Sequence, residues 1–321
     1  MTREFIEVLV ARKQAEARDI VSYELVDPSG NPLAPFEAGA HIDVRLRDGL
    51  TRSYSLLNAP GDSHRYRIAV LRDPNTRGGS AAMHDEVHEG ASLAIAPPLN
   101  HFALAPGAPY SLLLAGGIGV TPLLSMAEHL QAAGAAFEMH YCGRSPERTA
   151  FVEEIAAAAY GAWVRLHYDD GPVPQRLDID AVLAHCPAGT HLYVCGPRGF
   201  IDAMTGRAVA AGWPPQRIHC EFFGGPAAAQ AGDGGFEVTL ARSGRTVRVA
   251  PDQSVVQALA ARGIALDTSC EQGVCGVCLT RVLQGTPDHR DMVLSDEERA
   301  RNDLFTPCCS RALSAVLVLD L

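Results

Sequence analysis

Three cysteines near the C-terminus, Cys270, Cys275 and Cys278, are spaced C-x4-C-x2-C, and 29 residues intervene before the adjacent pair Cys308-Cys309. Thiolates arranged in this way, three from one loop and a fourth from a distant segment, suit a [2Fe–2S] cluster, which relays one electron at a time. Gly273 and Gly276 lie within the loop, where glycine lets the backbone curl and aim its N–H groups at the sulfurs. A structural zinc site usually draws four tetrahedral ligands from two C-x2-C halves, and the chain lacks that pattern. Spacing alone leaves Cys308 and Cys309 equal as the fourth ligand.

A second set of residues suits a flavin. In Arg52-Ser53-Tyr54-Ser55 an aromatic ring that can pack on an isoalloxazine is flanked by groups able to bond its edge and a phosphate. Thr76-Arg77-Gly78-Gly79-Ser80 then opens a helix with bare N–H groups, a guanidinium and a hydroxyl, an anion seat. Either motif alone is ordinary loop chemistry; together in one small barrel they point to a flavin phosphate site.

A third set suits a dinucleotide. Gly116-Gly117-Ile118-Gly119-Val120-Thr121-Pro122 follows an apolar strand, with Thr121 predicted as N-cap and Pro122 at the first helical position. The glycines let a pyrophosphate approach the positive end of that helix. The pattern is not G-x-G-x-x-G, and in isolation a ligand-free strand–helix turn explains it. Cys195-Gly196-Pro197 ends a later strand, at the edge where open α/β sheets bind ligands. There Cys195 either lines a nicotinamide pocket or is a small buried thiol.

Positioning these groups requires three kinds of element. Residues 1–107 alternate short apolar runs with Pro, Gly and Asp turns, which predicts an antiparallel β-barrel. Residues 108–223 alternate strands (111–115, 137–142, 163–168, 191–195) with helices (123–133, 151–159, 199–211), which predicts an α/β domain with a parallel sheet. Residues 224–235, rich in Gly and Ala, read as a linker. Residues 236–321 open with a hairpin around Ser243-Gly244, continue into a helix over 254–262 that stops at Gly263, and carry a Ser295/Glu298 capping box before a last strand.

Composition narrows the function classes. A net charge of −10 argues against nucleic acid and anionic membranes as partners. The chain shows no apolar run that would span a bilayer and no signal-peptide pattern, so a cytoplasmic location is expected. Nine cysteines in such a chain favour metal or redox use over disulfides, with Cys142, Cys186 and Cys220 expected to be inert. The twelve histidines are scattered singly, which predicts surface or packing roles.

R-x-Y-S, R-G-G-S, G-G-x-G-x-T-P and C-G-P occur here in the order seen in ferredoxin–NADP reductase-like flavoproteins. With a ferredoxin domain placed C-terminally, the chain resembles the phthalate dioxygenase reductase family over nearly all its length, and within it the vanillate O-demethylase reductase components. The resemblance implies a multidomain fold: an antiparallel β-barrel flavin domain, an α/β parallel-sheet nucleotide domain and an α+β β-grasp ferredoxin domain. It implies FMN, NADH and one [2Fe–2S] cluster as cofactors. Residue by residue, it implies Arg52, Tyr54 and Ser55 at the FMN ring and phosphate, and Arg77, Gly79 and Ser80 closing on that phosphate. Gly117, Gly119, Thr121 and Gly196 would meet the nicotinamide dinucleotide, with Cys195 beside the reacting carbon, Cys195 and Thr121 as catalytic residues, and Phe223, in His219-x-Glu221-x-Phe223, stacked on the flavin. The Cys-x-Ser-Arg context adds Cys308 to Cys270, Cys275 and Cys278 as cluster ligand.

The implied activity is an electron relay from NADH through FMN and the cluster to a Rieske-type terminal oxygenase acting on an aromatic methyl ether or carboxylate. A reductase serving a cytochrome P450 would have the same internal path, and a redox sensor would have no use for a hydride donor. Arg144 and Ser145 could welcome a 2′-phosphate, so the preference for NADH rests on the resemblance. A monomer is expected of such a shuttle.

Overall fold

The computed structural model describes residues 5–47, 50–73, 78–170, 175–223, 233–267, 273, 276, 278–291 and 293–321. The chain divides into two compact units, Met1–Phe223 and Gly224–Leu321.

The first unit begins with strands β1 (Ile6–Ala17), β2 (Ile20–Val26), β3 (His41–Arg45), β4 (Thr51–Ser55), β5 (Tyr66–Leu71) and β6 (Ser92–Ile95). They form one antiparallel sheet in the order β4-β3-β6-β1-β2-β5. Its edges meet where Leu57 N–H donates to the Arg67 carbonyl (2.9 Å) and Arg67 N–H donates to Asn58 Oδ1 (2.9 Å), so the sheet curls closed. The alternation read in the sequence supplies the interior, with Val8, Val10, Tyr23, Leu25, Ile42, Val44, Ile68 and Val70 all buried. Helix α1 (Gly79–Glu86) plugs this barrel with Met83, and Lys13 Nζ donates to the carbonyls of His84 and Val87 (2.7 Å each) at the helix's negative end.

The same unit holds a parallel sheet of β7 (Ser111–Gly116), β8 (Phe137–Gly143), β9 (Val164–Tyr168), β10 (His191–Gly196) and β11 (Ile218–Phe222), in the order β11-β10-β7-β8-β9. Leu112, Leu113, Leu114 and Ala115 are fully buried because both faces are covered. Helices α2 (Val120–Ala132) and α3 (Val152–Ala157) pack on the face bearing Leu113 and Met139; α4 (Ile179–His185) and α5 (Arg198–Ala210) pack on the face bearing Leu112 and Val194. The first of these cores also takes in Ile20, Leu57, Ala69 and Phe102 from the barrel, so barrel and sheet share one interior.

Two elements of the parallel-sheet region escaped the sequence reading. Helix α4 is only seven residues long, with an Asp178 N-cap bonded to Ala181 N–H (3.1 Å), and β11 carries a polar His-Cys-Glu centre. One cap was misplaced. Helix α2 is capped by Gly119, because residues 117–119 already form a 3-10 turn; Thr121 lies one residue inside and its Oγ1 donates to the Ile118 carbonyl (3.1 Å).

The second unit has a mixed five-stranded sheet in the order β13-β12-β18-β14-β16 and a two-stranded ribbon of β15 and β17. The strands are β12 (Phe236–Leu240), β13 (Thr246–Val249), β14 (Thr280–Gln284), β15 (Pro287–Asp288), β16 (Leu304–Phe305), β17 (Arg311–Ala312) and β18 (Val316–Leu319). Helix α6 (Val255–Ala260) drops Val255 and Leu259 onto Val238, Phe305 and Leu317, as in a β-grasp fold. Capping boxes start it, from Ser254 and Gln257, and the exposed α7 (Asp296–Arg301), from Ser295 and Glu298.

Candidate functional site

Arg52 and Gly79 come from separate motifs and meet in space. A Cβ built on Gly79 would stand 2.7 Å from Arg52 Nε and 2.8 Å from its Cγ, so only glycine lets the arginine lie across the start of α1. The helix has Gly78 at its N-cap, at φ +99° and with no side-chain cap, and its N-terminus is the positive end that an anion would approach. Ser80 Oγ accepts from Asp73 N–H (3.2 Å), and Tyr54 packs against the barrel core on β4, where burial pushes its phenol up to about 12. Arginine, glycine helix start and tyrosine thus form a cradle that fits a flavin phosphate and ring. Arg77 lies outside the described residues.

The G-G-x-G turn and the C-G-P turn sit side by side at the carboxyl ends of β7 and β10. Strand order reverses between these neighbours, which makes this the sheet's switch point. A Cβ on Gly119 would stand 2.3 Å from the Cys195 carbonyl oxygen, and one on Gly196 would stand 2.9 Å from Gly116 Cα. Gly117 has φ +54° with nothing within 4 Å of where a Cβ would be, so its constraint is conformational. Thr121 is 2 % exposed and Cys195 0 % exposed. Burial, then Glu221, holds the Cys195 thiol well above its usual range, so it is a neutral S–H rather than a nucleophile.

Barrel and sheet join chemically at Glu221. Glu221 pairs in register with Cys195 across β10 and β11, and Ser55 Oγ from β4 donates to its Oε2 (3.2 Å). The side chain is part-exposed by area, yet its carboxyl is ringed by protein, and burial pushes it up to about 8. Hydroxyl, neutral carboxyl and neutral thiol therefore form one uncharged polar wall between the flavin motif and the nucleotide motif. Phe223 follows at the strand's end, 44 % exposed, while its neighbour Phe222 lies under the Arg198 guanidinium (5.6 Å).

In the second unit Cys278 and Cys308 are 5 % and 1 % exposed, with their sulfurs 3.3 Å apart. Two thiolates on one tetrahedral ion stand roughly 3.5–4 Å apart, given metal–sulfur bonds near 2.3 Å. The hydrogen bond to Cys278, the one to Cys309 and burial together hold the Cys308 thiol far above its usual range, so the pair stays protonated unless the positive charge of a metal displaces those protons. Gly273, at φ +78°, is pressed so close that a Cβ would stand 2.4 Å from Cys309 Sγ; Gly276 also has positive φ, +73°. Two left-handed glycines, one of them against a buried sulfur, fit a cluster shell. Cys270 and Cys275 lie outside the described residues.

Comparison with known proteins agrees with this anatomy. The family model described as "2Fe-2S iron-sulfur cluster binding domain" matches residues 238–313, and the "Dimethylamine monooxygenase subunit DmmA-like, N-terminal domain" matches residues 92–218. A vanillate O-demethylase oxidoreductase of Pseudomonas putida is 51 % identical over 317 residues, which are 98 % of this chain and 100 % of the relative. The crystal structure of phthalate dioxygenase reductase, 40 % identical, superposes with a TM-score of 0.73 over 99 % of this chain and 98 % of its own. The chain belongs to the phthalate dioxygenase reductase family. It is an electron-transferring oxidoreductase, and its C-terminal unit is of the 2Fe–2S cluster-binding kind. An intact self-sufficient cytochrome P450 monooxygenase also contains the same arrangement, with 40 % identity and a TM-score of 0.73 over 99 % of this chain and 41 % of that one.

For this reductase, motif reading passed over two features. Glu221 stood in the H-x-E-x-F stretch without a role, because nothing in sequence brings it to Ser55, 166 residues away. The histidines, single in sequence, pair in space: His140 Nδ1 lies 2.9 Å from His167 Nε2, and His191 Nδ1 lies 2.9 Å from His219 Nε2. His219 also stacks on Tyr193 (4.7 Å), and burial pushes it down to about 4, so it packs as a neutral ring on the strand that carries Glu221. Among the described residues no helix is long and apolar enough to cross a membrane.

Proposed function

We propose that this chain is the NADH-dependent reductase component of a two-component aromatic oxygenase, passing electrons by way of FMN and [2Fe–2S] to a Rieske-type terminal oxygenase. The observation that carries this reading is the Ser55–Glu221 contact, which brings the flavin motif of the barrel against the nucleotide edge of the parallel sheet. The bound cofactors supply the redox chemistry, the nicotinamide giving a hydride, the flavin dividing it and the cluster relaying single electrons. The protein supplies position and environment.

Arg52, Gly79 and Ser80 seat the phosphate of FMN, Tyr54 and Phe223 take the ring, and Arg77 joins them. Gly117, Gly119, Gly196 and Thr121 admit the dinucleotide to the switch point. Cys195, Ser55 and Glu221 wall the space in which the two rings would face each other, excluding water and offering no fixed charge. Cys270, Cys275, Cys278 and Cys308 hold the cluster. We assign three modules accordingly: a flavin module over 1–107, a nucleotide module over 108–223 and, beyond a tether, the iron–sulfur module.

NADH is favoured over NADPH at the strand ends. Asp169 and Asp170 donate their N–H groups to the carbonyls of Gly143 and Arg144 (3.1 and 3.2 Å), so two acidic residues share the strand ends with Arg144 and with Arg176, which donates to the Asp169 carbonyl (3.2 Å), and Ser145 is buried. A 2′-phosphate gains little from such a loop.

The relatives that support a Rieske partner include the vanillate O-demethylase oxidoreductase; the self-sufficient P450 supports a haem partner instead. The test is to capture the acceptor from native cells, add NADH anaerobically and record its spectrum. Bleaching of a Rieske absorbance with a new EPR signal is the expected result. A Soret band that shifts under carbon monoxide would replace the oxygenase by a P450.

A further inference from the structure

The residues that begin the second unit enter a buried charge cluster. Arg290 donates from both terminal guanidinium nitrogens to Asp233, Nη1 to Oδ2 at 3.0 Å and Nη2 to Oδ1 at 2.5 Å, and also bonds Asp288 Oδ2 through Nε (2.7 Å). Arg311 stands 3.6 Å from Asp233 and donates to the carbonyls of Gly234, Ala250 and Gln253 (3.0, 3.1 and 2.9 Å). The side chains of Asp233, Arg290 and Arg311 are 8 %, 12 % and 9 % exposed, so these two cations and the carboxylates of Asp233 and Asp288 neutralise one another away from bulk water.

Both arginines are fastened to the segment that presents Cys308. Arg290 N–H donates to Ser310 Oγ (3.0 Å), Ser310 Oγ lies 2.8 Å from Thr306 Oγ1, and Arg311 follows Ser310 directly. The next residue, Asp291, accepts from Leu294 N–H (2.8 Å), and its Cα would stand 3.0 Å from a Cβ on Gly273 of the cluster loop. Asp233 is therefore the common partner of two cations, one before and one after Cys308 in the sequence.

We propose that Asp233 is a positioning residue for the iron–sulfur centre: by clamping Arg290 and Arg311 it holds the 308–311 turn, with its ligand Cys308, against the cluster loop. The same clamp draws Asp233, which the sequence reading placed in the linker, into the iron–sulfur module. The bidentate geometry explains why arginine serves here, since a lysine would carry the charge without the fork.

This inference rests on the cluster assignment, and a wild-type protein with no visible iron–sulfur absorbance would overturn that assignment, not the clamp. The test compares Asp233→Asn, Asp233→Glu and Arg290→Lys in the full-length holoprotein, with circular dichroism reporting the fold. Bleaching of the visible absorbance by an iron chelator should quicken by roughly tenfold in Asp233→Asn, the order of one lost charge-assisted hydrogen bond. The g-values of the dithionite-reduced cluster should shift with it. Asp233→Glu should restore much of both, and Arg290→Lys should fall between. A natively folded Asp233→Asn that forms no cluster supports the clamp in the same direction. Wild-type bleaching and unchanged g-values in both Asp233→Asn and Arg290→Lys would reduce the cluster to an ordinary ion pair and overturn the proposal. If Asp233→Asn does not fold, Arg290→Lys alone decides by the same two readings.

Discussion

At the residue scale, Glu221 is the group whose state the fold changes most. Its carboxyl keeps a proton up to about pH 8, whereas in the unfolded chain it loses it near the ordinary value of 4.5. Between those values the native state binds a proton that the unfolded state does not, so stability falls as pH rises through that window. Glu221→Gln removes this contribution, and its melting temperature should fall less from about pH 5 to pH 8 than that of the parent. Parallel melting curves over that range would remove the neutral carboxyl from the account. Two glycines offer a paired contrast. In Gly119→Ala the new methyl meets the Cys195 carbonyl, and NADH-driven reduction of ferricyanide should drop by about tenfold or more while the visible cluster spectrum stays intact. In Gly273→Ala the methyl meets Cys309 Sγ at a positive φ, and the cluster spectrum should fade while ferricyanide reduction persists. The reverse pattern would exchange the two assignments.

At the element scale, the secondary structure was legible wherever a local rule dominated. The Ser295/Glu298 capping box, the Ser243-Gly244 hairpin and the helix that ends before Gly263 are set by hydrogen bonds and dihedrals within a few residues, and they formed where those rules place them. Helix α6 shows what such a cap contributes. Ser254 accepts from Gln257 N–H (3.2 Å), while Val255 and Leu259 are anchored in the core. Ser254→Ala should cost about 0.5–2 kcal/mol and Ser254→Gly only a few tenths, read from urea unfolding followed by far-ultraviolet circular dichroism. Equal losses in both would mean that packing rather than capping starts the helix. Rules failed where two competed. At Gly119, a 3-10 turn entered through the left-handed Gly117 took the cap from Thr121. At β11, the polar residues that hide the strand from a hydrophobic reading are there because His219 and Glu221 face Tyr193 and Cys195 inside the unit.

At the scale of the whole molecule, barrel and parallel sheet share one hydrophobic core, bridged on its polar side by the bidentate Arg67–Glu154 pair (2.7 and 2.9 Å) and by Ala105 N–H donating to Tyr193 Oη (2.7 Å). The second unit has a core of its own. A chain ending at Phe223 should therefore fold, bind flavin and reduce ferricyanide with NADH at a rate near that of the full chain, yet deliver nothing to the terminal oxygenase. Failure of that shortened chain to melt cooperatively would show that the first unit depends on the second.

The chemistry could be read from the chain alone: the cysteine spacing admits few uses, and the glycine turns and the R-x-Y-S motif, ordinary one by one, gain meaning from their order along the chain and from likeness over nearly its full length to one family. Which of these patterns meet was settled by folding alone. Arg52 lies over Gly79, Gly119 over Cys195, Ser55 against Glu221 and Asp233 between Arg290 and Arg311. Each is a contact between segments distant in the chain, made by strand order and shared burial, and neither leaves a local periodicity to read. The protonation of Glu221 belongs to the same class, because a carboxyl's solvation depends on everything packed around it and not on its neighbours in sequence.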